Sequence, residues 1–318
     1  MADGSYVELH CHSDFSFREG ASSPLELVLT ARELGYPALA LTDHDGLAGA
    51  MEFARTAKEW GVQPIIGAEI TLRPSPGPSA TPLPRGEGPE VRAHLTLLAE
   101  TPRGYANLSR LLSEAHLSSP RGEPALDPQA LAGRTEGLIA LSGCRQGEVP
   151  ALLAAGDITG ARRAAQRHIE LFGRESFWIE MQDNLVYGDR PRNRRLVALA
   201  RDLDLGLVAT NNAHYHTRSR HRLQDVLVAV RQRTTLDACE RQRRKNAEFY
   251  LKSPEEMRAL FAELPEAIDN TLRIAERVAF DLTRDLTYVF PDYEAPGGKT
   301  ADEFLEEVCR AALIELYG

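Results

Sequence analysis

Apolar residues along the chain gather into short runs separated by longer stretches with helical spacing. Seven runs stand out: Tyr6 to His10, Ala38 to Leu41, Pro64 to Ile70, His94 to Leu98, Leu138 to Leu141, Phe177 to Glu180 and Leu207 to Ala209. Each is short and most are rich in Leu, Ile or Val, as strands buried on both faces are. Helical patterns fall between them. In Leu25 to Leu34, Leu25, Val28, Leu29 and Ala31 share one face, with Pro24 at the start and Gly35 at the end. Ala48 to Trp60 repeats the scheme and stops at Gly61. Such alternation predicts parallel strands with right-handed crossovers. The number of units points to a closed α/β barrel, and periodicity alone leaves a doubly wound open sheet as the alternative.

Two regions break the pattern. Arg73 to Arg92 holds six prolines and little that is apolar, which predicts a surface insertion loop. After Thr217 the strand signals cease, and Leu223 to Val230 and Pro254 to Leu282 read as amphipathic helices. Pro291 to Lys299 reads as a linker, and Ala301 to Tyr317 as one more helix with nothing evident to pack on. The expected organisation is a barrel with a helical extension over residues 1–285 and a linker with a helix over 286–318, the front of something longer.

Composition narrows the class. The 318 residues are 43% apolar and 26% charged, ordinary for a globular protein. No apolar run approaches the ~20 residues of a membrane span, and the start lacks a signal-peptide pattern, so a cytoplasmic location is expected. Cys11, Cys144, Cys239 and Cys309 are scattered without paired spacing, which argues against a disulfide framework. A net charge of −9 excludes indiscriminate attraction to nucleic acid. The charge is uneven, however: Arg218 to Lys245 holds nine Lys/Arg against three Asp/Glu. This stretch is either a solvated helix face or a local patch for a polyanion.

The chemistry lies at the ends of the runs. The first ends in His10-Cys11-His12, and side chains two apart on a strand share a face, so both imidazoles can reach one ion. The second ends in Thr42-Asp43-His44-Asp45 and the third carries Glu69. The fourth begins with His94 and the fifth ends at Cys144. The sixth carries Glu180, Gln182 and Asp183, and the seventh ends in Asn211-Asn212-Ala213-His214. Barrel enzymes assemble their sites at this face. Singly, each residue has a bland reading: His94 a core histidine, Cys144 a small buried apolar residue, Glu69 a helix cap. Their joint placement argues for ligation, and the donor types suit Zn²⁺, Mn²⁺ or Fe²⁺ better than Mg²⁺ or Ca²⁺. Asp43 and Asp45 read equally well as supports for the ligands or as caps. His116, His168, His216 and His221 read as surface or structural.

The runs YVELHCHSDFSFREGAS, LALTDHDGLAGAMEF, IIGAEITL, HLTLLAE, LIALSGC and VATNNAHY resemble, in order, the motifs of PHP (polymerase and histidinol phosphatase) domains. The nearest resemblance is to the N-terminal PHP domain of bacterial DNA polymerase III α subunits, and within these to the error-prone type. EFYLKSPEEMRALFAELPEAIDNTLRIAERV and FPDYEAPGGKTADEFLEEV are similar to the region leading towards the polymerase palm. The resemblance spans essentially the whole chain and implies a distorted seven-stranded (β/α) barrel. It places the metal-binding positions on His10, His12, Glu19, His44, Glu69, His94, Cys144, Asn212 and His214. One ion would take His10, His12, Glu69 and Asn212. A second would take Glu69, His94 and Cys144, and a third Glu19, His44 and His214. The family usually has aspartate at the position of Asn212, whose amide brings no charge.

The activity this implies is phosphoester hydrolysis by metal-bound hydroxide, with about two or three Zn, Mn or Fe ions and with Glu69, His10, His12 and His214 as the catalytic set. The implied substrate is a nucleic-acid 3′ end, giving 3′–5′ exonuclease or proofreading activity. The expected partners are DNA, the polymerase core of a longer chain and other replication or damage-tolerance proteins, with no membrane. Two other readings stand beside it: a metal-stabilised interaction module without activity, and a free-standing small-molecule phosphatase similar to histidinol phosphatase. No palm carboxylate set is evident, so DNA synthesis would belong to the rest of a longer polymerase.

Overall fold

The computed structural model describes residues 5–74, 93–286 and 293–318. The chain divides into two compact units, Met1–Asp285 and Leu286–Gly318.

In the first unit the elements run α1 (Pro24–Glu33), β1 (Ala38–Leu41), α2 (Ala50–Glu59), β2 (Gln63–Leu72), β3 (Ala93–Ala99) and α3 (Pro102–Leu117). They continue β4 (Leu138–Leu141), α4 (Glu148–Ala154), α5 (Ile158–Phe172), β5 (Phe177–Met181), α6 (Asp189–Leu203), β6 (Leu207–Ala209), α7 (His221–Gln232), α8 (Pro254–Leu260) and α9 (Pro265–Arg277). Local chemistry sets the ends. Ser23 and Ser253 cap α1 and α8 through reciprocal bonds with Glu26 and Glu256, each with proline in the first turn. The stretch Pro254 to Leu282 is therefore two helices, and its last residues are not helical.

The six strands form one sheet in sequence order, β1-β2-β3-β4-β5-β6. A doubly wound sheet would reverse its order part-way; this one winds in a single direction. The expectation of parallel strands throughout does not hold. β1–β2, β4–β5 and β5–β6 are parallel, but β3 is antiparallel to both β2 and β4. The sequence between β2 and β3 offers no apolar helical face to carry the chain back over the sheet, and antiparallel pairing needs none. Most of that expected insertion loop lies outside the described residues.

The expected first strand, Tyr6 to His10, is not a strand, so the count is six and not seven. It is extended chain whose Glu8 bridges Leu39 on β1, and the Cys11 that follows it bridges Ala213, four residues past β6. Ala40 N–H donates to Glu8 O at 2.9 Å, and Ala213 N–H to His10 O at 2.9 Å. What stands between the two sheet edges is therefore this stitched segment, not the full strand of a closed seven-stranded barrel. Val7 and Leu9 pack with Ala40, Ile65, Val208, Ile274 of α9 and Val278 just beyond it, in one buried cluster.

In the second unit, Pro296–Gly298 forms a single tight turn within the expected linker, whose first residues lie outside the described set. Helix α10 (Ala301–Tyr317) follows, capped by Thr300 with Glu303. Among the described residues no helix is long and apolar enough to cross a membrane.

Candidate metal centre

Glu8, His10 and His12 alternate with Val7, Leu9 and Cys11, so one side of this extended segment carries a carboxylate and two imidazoles. Buried Glu8 is the staple. Its carboxylate accepts the Tyr6 hydroxyl at 2.9 Å, the His10 N–H at 2.9 Å and the Asn211 N–H at 2.8 Å. Burial pushes its pKa up to about 7 against these hydrogen bonds.

Glu69 on β2 is the hub. The antiparallel register sets Glu69 opposite Thr96 and Thr71 opposite His94. A backbone bridge brings His44 beside Glu69. One carboxylate oxygen lies 3.4 Å from His10 Nε2 and 3.1 Å from His94 Nδ1. The other lies 3.6 Å from His12 Nε2 and 3.7 Å from His44 Nδ1. Two triads of converging donor atoms result, His10–His12–Glu69 and His44–Glu69–His94, both using Glu69. Cys144 Sγ lies 3.6 Å from His94 Nδ1. It is placed there by Gly143, whose φ of +86° and close approach to the His94 carbonyl leave no room for a Cβ. Glu19 bonds His44 Nδ1 at 3.0 Å. The His214 ring lies 4.4 Å from that of His12. Asn212 takes the left-handed region at φ +48°, which asparagine tolerates.

The residues behind the candidate ligands decide which nitrogen each imidazole presents. Glu180 lies 2.7 Å from His10 Nδ1 and accepts a hydrogen bond from it, so Nε2 faces Glu69. Ser16 Oγ donates to Asp43 at 2.6 Å and accepts the His44 N–H at 3.0 Å. With its one proton committed, it accepts from His12 Nδ1 at 3.2 Å, and His12 too presents Nε2. Asp45 plays the same part through Thr71, whose hydroxyl lies 2.7 Å from Asp45 Oδ2 and 3.0 Å from His44 Nε2. Asp43 and Asp45 are thus supports in this arrangement, and His116, by bonding the Asp45 carbonyl at 2.7 Å, holds the same loop. Nothing in the sequence marks Ser16 or Thr71, since their bonds to Asp43, His44 and Asp45 form only on folding.

The electrostatics follow from packing. Burial opposes a charge on His10, but the Glu180 and Glu69 carboxylates outweigh it and raise its pKa to about 10. Burial is likewise outweighed at His44 by Glu19 and Glu69, giving about 9. At His12 burial wins, helped by its cationic neighbours, and the pKa falls to about 3. Glu69 stays well below the usual carboxylate range despite burial, because His94 and His10 face it.

Among the candidate ligands, four buried atoms lack any hydrogen-bonding partner: His10 Nε2, His12 Nε2, a Glu69 oxygen and Asn212 Oδ1. A buried polar atom without a partner is costly, and four lone-pair donors in one centre are what a divalent cation would satisfy. The residues therefore fit a metal, and N/O donors with one thiol suit a transition metal. Glu69, His94, Cys144, Asn212 and His214 line a cavity of about 510 Å³.

The basic stretch Arg218 to Lys245 is mixed in character. Arg218, Arg220 and Arg243 pair with Glu248, Glu26 and Asp225. Arg231 and Arg244 instead reach Glu19 and His214, and Arg241 and Lys245 stand at the cavity wall. His168, His216 and His221 lie away from the centre; buried His168 stacks on Phe177 with ring centroids 5.0 Å apart.

The family model described as "PHP domain" matches residues 8–184. The error-prone DNA polymerase of Symbiobacterium thermophilum is 41% identical over 99% of this chain and 29% of its own length. That of Mycobacterium tuberculosis is 39% identical over 99% of this chain and 28% of its own length. The DNA polymerase III subunit alpha of Thermus aquaticus is 37% identical over 98% of this chain and 26% of its own. The chain spans less than a third of each of these relatives. From the matched motifs and the site they build, the chain belongs to the PHP domain family, in the form found in error-prone DNA polymerases and DNA polymerase III α subunits.

Proposed function

We propose that this domain hydrolyses phosphodiesters at the 3′ end of a nucleic acid, as a 3′–5′ exonuclease dependent on divalent metal. The observation that supports this best is the set of partnerless buried donors around Glu69. His10, His12, Glu69 and Asn212 would hold one ion, and His44, His94, Glu69 and Cys144 a neighbouring one. Bound ions would supply Lewis-acid activation of water and neutralise charge on the phosphate. The chain's own part is to orient. Glu180 and Ser16 fix the imidazoles, Glu69 spans both triads, and His214, with its Nδ1 proton on the Asn212 carbonyl at 2.8 Å, keeps Nε2 as an acceptor. Arg241 and Lys245 at the cavity wall suit a polyanion. In a longer natural chain the overall activity would be template-directed DNA synthesis in replication or repair, with this domain as its hydrolytic accessory.

The test is release of nucleotides from oligonucleotides labelled at either end, with added Mn²⁺ or Zn²⁺. Loss from the 3′ end that stops with chelator and in His12→Ala supports the proposal. Activity indifferent to His12→Ala contradicts it. A metal-stabilised interaction module is the second reading, favoured by the uncharged Asn212. It predicts that chelation lowers the melting temperature while hydrolysis is never detected.

A further inference from the structure

The converging donor triads, among the described residues, include neither Glu19 nor His214. Both of those residues are instead in contact with arginine. The Arg231 guanidinium pairs with the Glu19 carboxylate, and the Arg244 guanidinium bonds His214 Nε2. Both arginines are held on anchored backbone. Arg231 lies on α7 one heptad from Gln224, so the two share a face, and Gln224 Nε2 donates to the Glu19 carbonyl at 3.2 Å. The chain beside Arg244 is tied by the His214 N–H to the Phe249 carbonyl at 2.8 Å, and the guanidinium stacks 4.1 Å over the Phe249 ring. The Arg244 Nε is itself buried without a partner.

We infer that Arg231 and Arg244 occupy the position of a third cation, so that the centre takes two metal ions closed on one side by two guanidinium groups. This rests on the reading of the centre as a metal site. The Glu19 carboxylate is already paired with a guanidinium. A further divalent ion would meet two fixed positive charges, and Asn212 supplies no anion to offset them. A guanidinium cannot lose its proton, so it stays a cation at any working pH. It can also offer donors to a phosphate lying across the metal pair.

The test is metal content by elemental analysis after equilibration of the whole chain with Zn²⁺ or Mn²⁺ and removal of excess. The wild type is expected to hold about two equivalents, the Arg231→Met/Arg244→Met double variant about three, and the double lysine variant about two. Three equivalents in the wild type, or no gain in the methionine variant, overturns the inference while leaving the metal centre intact. No metal in any protein removes the metal reading and this inference with it. If the methionine variant does not fold, His214→Ala decides. Content unchanged from a wild type of two supports the inference, and a fall from three to two overturns it.

Discussion

Glu180 Oε1 lies 2.7 Å from Nδ1 of His10, both side chains fully buried, although 170 residues separate them in sequence. The carboxylate accepts one ring N–H and so aims the other nitrogen at Glu69. Removing its charge should loosen the metal without touching a ligand. Glu180→Gln is expected to weaken metal affinity by about 10–100-fold, measured by competition with a chromophoric chelator. Unchanged affinity would mean that His10 needs no such support.

Ser16 does the same for His12, from a hydroxyl shared with Asp43 and the His44 N–H. Ser16→Ala should lower affinity about tenfold or more, and Ser16→Thr, which keeps the hydroxyl, should restore most of it. Equal affinities in the two variants would refute the tautomer argument.

Gly143 has φ +86°, and a Cβ there would stand 2.6 Å from the His94 carbonyl oxygen. Gly143→Ala should cost about 1–3 kcal/mol in urea unfolding and displace Cys144 from His94. A thiol still titrating with Co²⁺ as in the wild type would show that the loop adapts.

His168 gives a pH dependence remote from the centre. Burial, with Arg167 nearby, lowers its pKa from 6.5 to about 4. Its folded pKa lies below the unfolded one, so its contribution is full above pH 6.5 and is lost as pH falls towards 4. The loss is about 3 kcal/mol if the whole shift acts. His168→Phe should remove this part of the slope between those values. A wild type and variant with parallel stability profiles would contradict it.

Much of this was legible because the candidate ligands follow strand ends. His10, His12, Glu69 and His94 each sit in or beside a short apolar run. Two things were less legible. Tyr6 to His10 has a strand's composition, yet its pairing is confined to single bridges, since whether an extended segment makes a ladder depends on its neighbours' lengths. The direction of β3 depends on what connects it to β2, and apolar content says nothing of direction. The supports were hidden for another reason. Ser16, Thr71, Arg231 and Arg244 gain meaning only from partners brought together by folding, and in sequence Arg231 and Arg244 are two members of a charge run.

Glu69, common to both donor triads, is proposed as the carboxylate on which both metal ions depend. Metal content of purified Glu69→Gln, set beside the wild type under identical loading, tests it most directly. Loss of both equivalents with the fold retained is the predicted result. Retention of the full wild-type content would contradict the account.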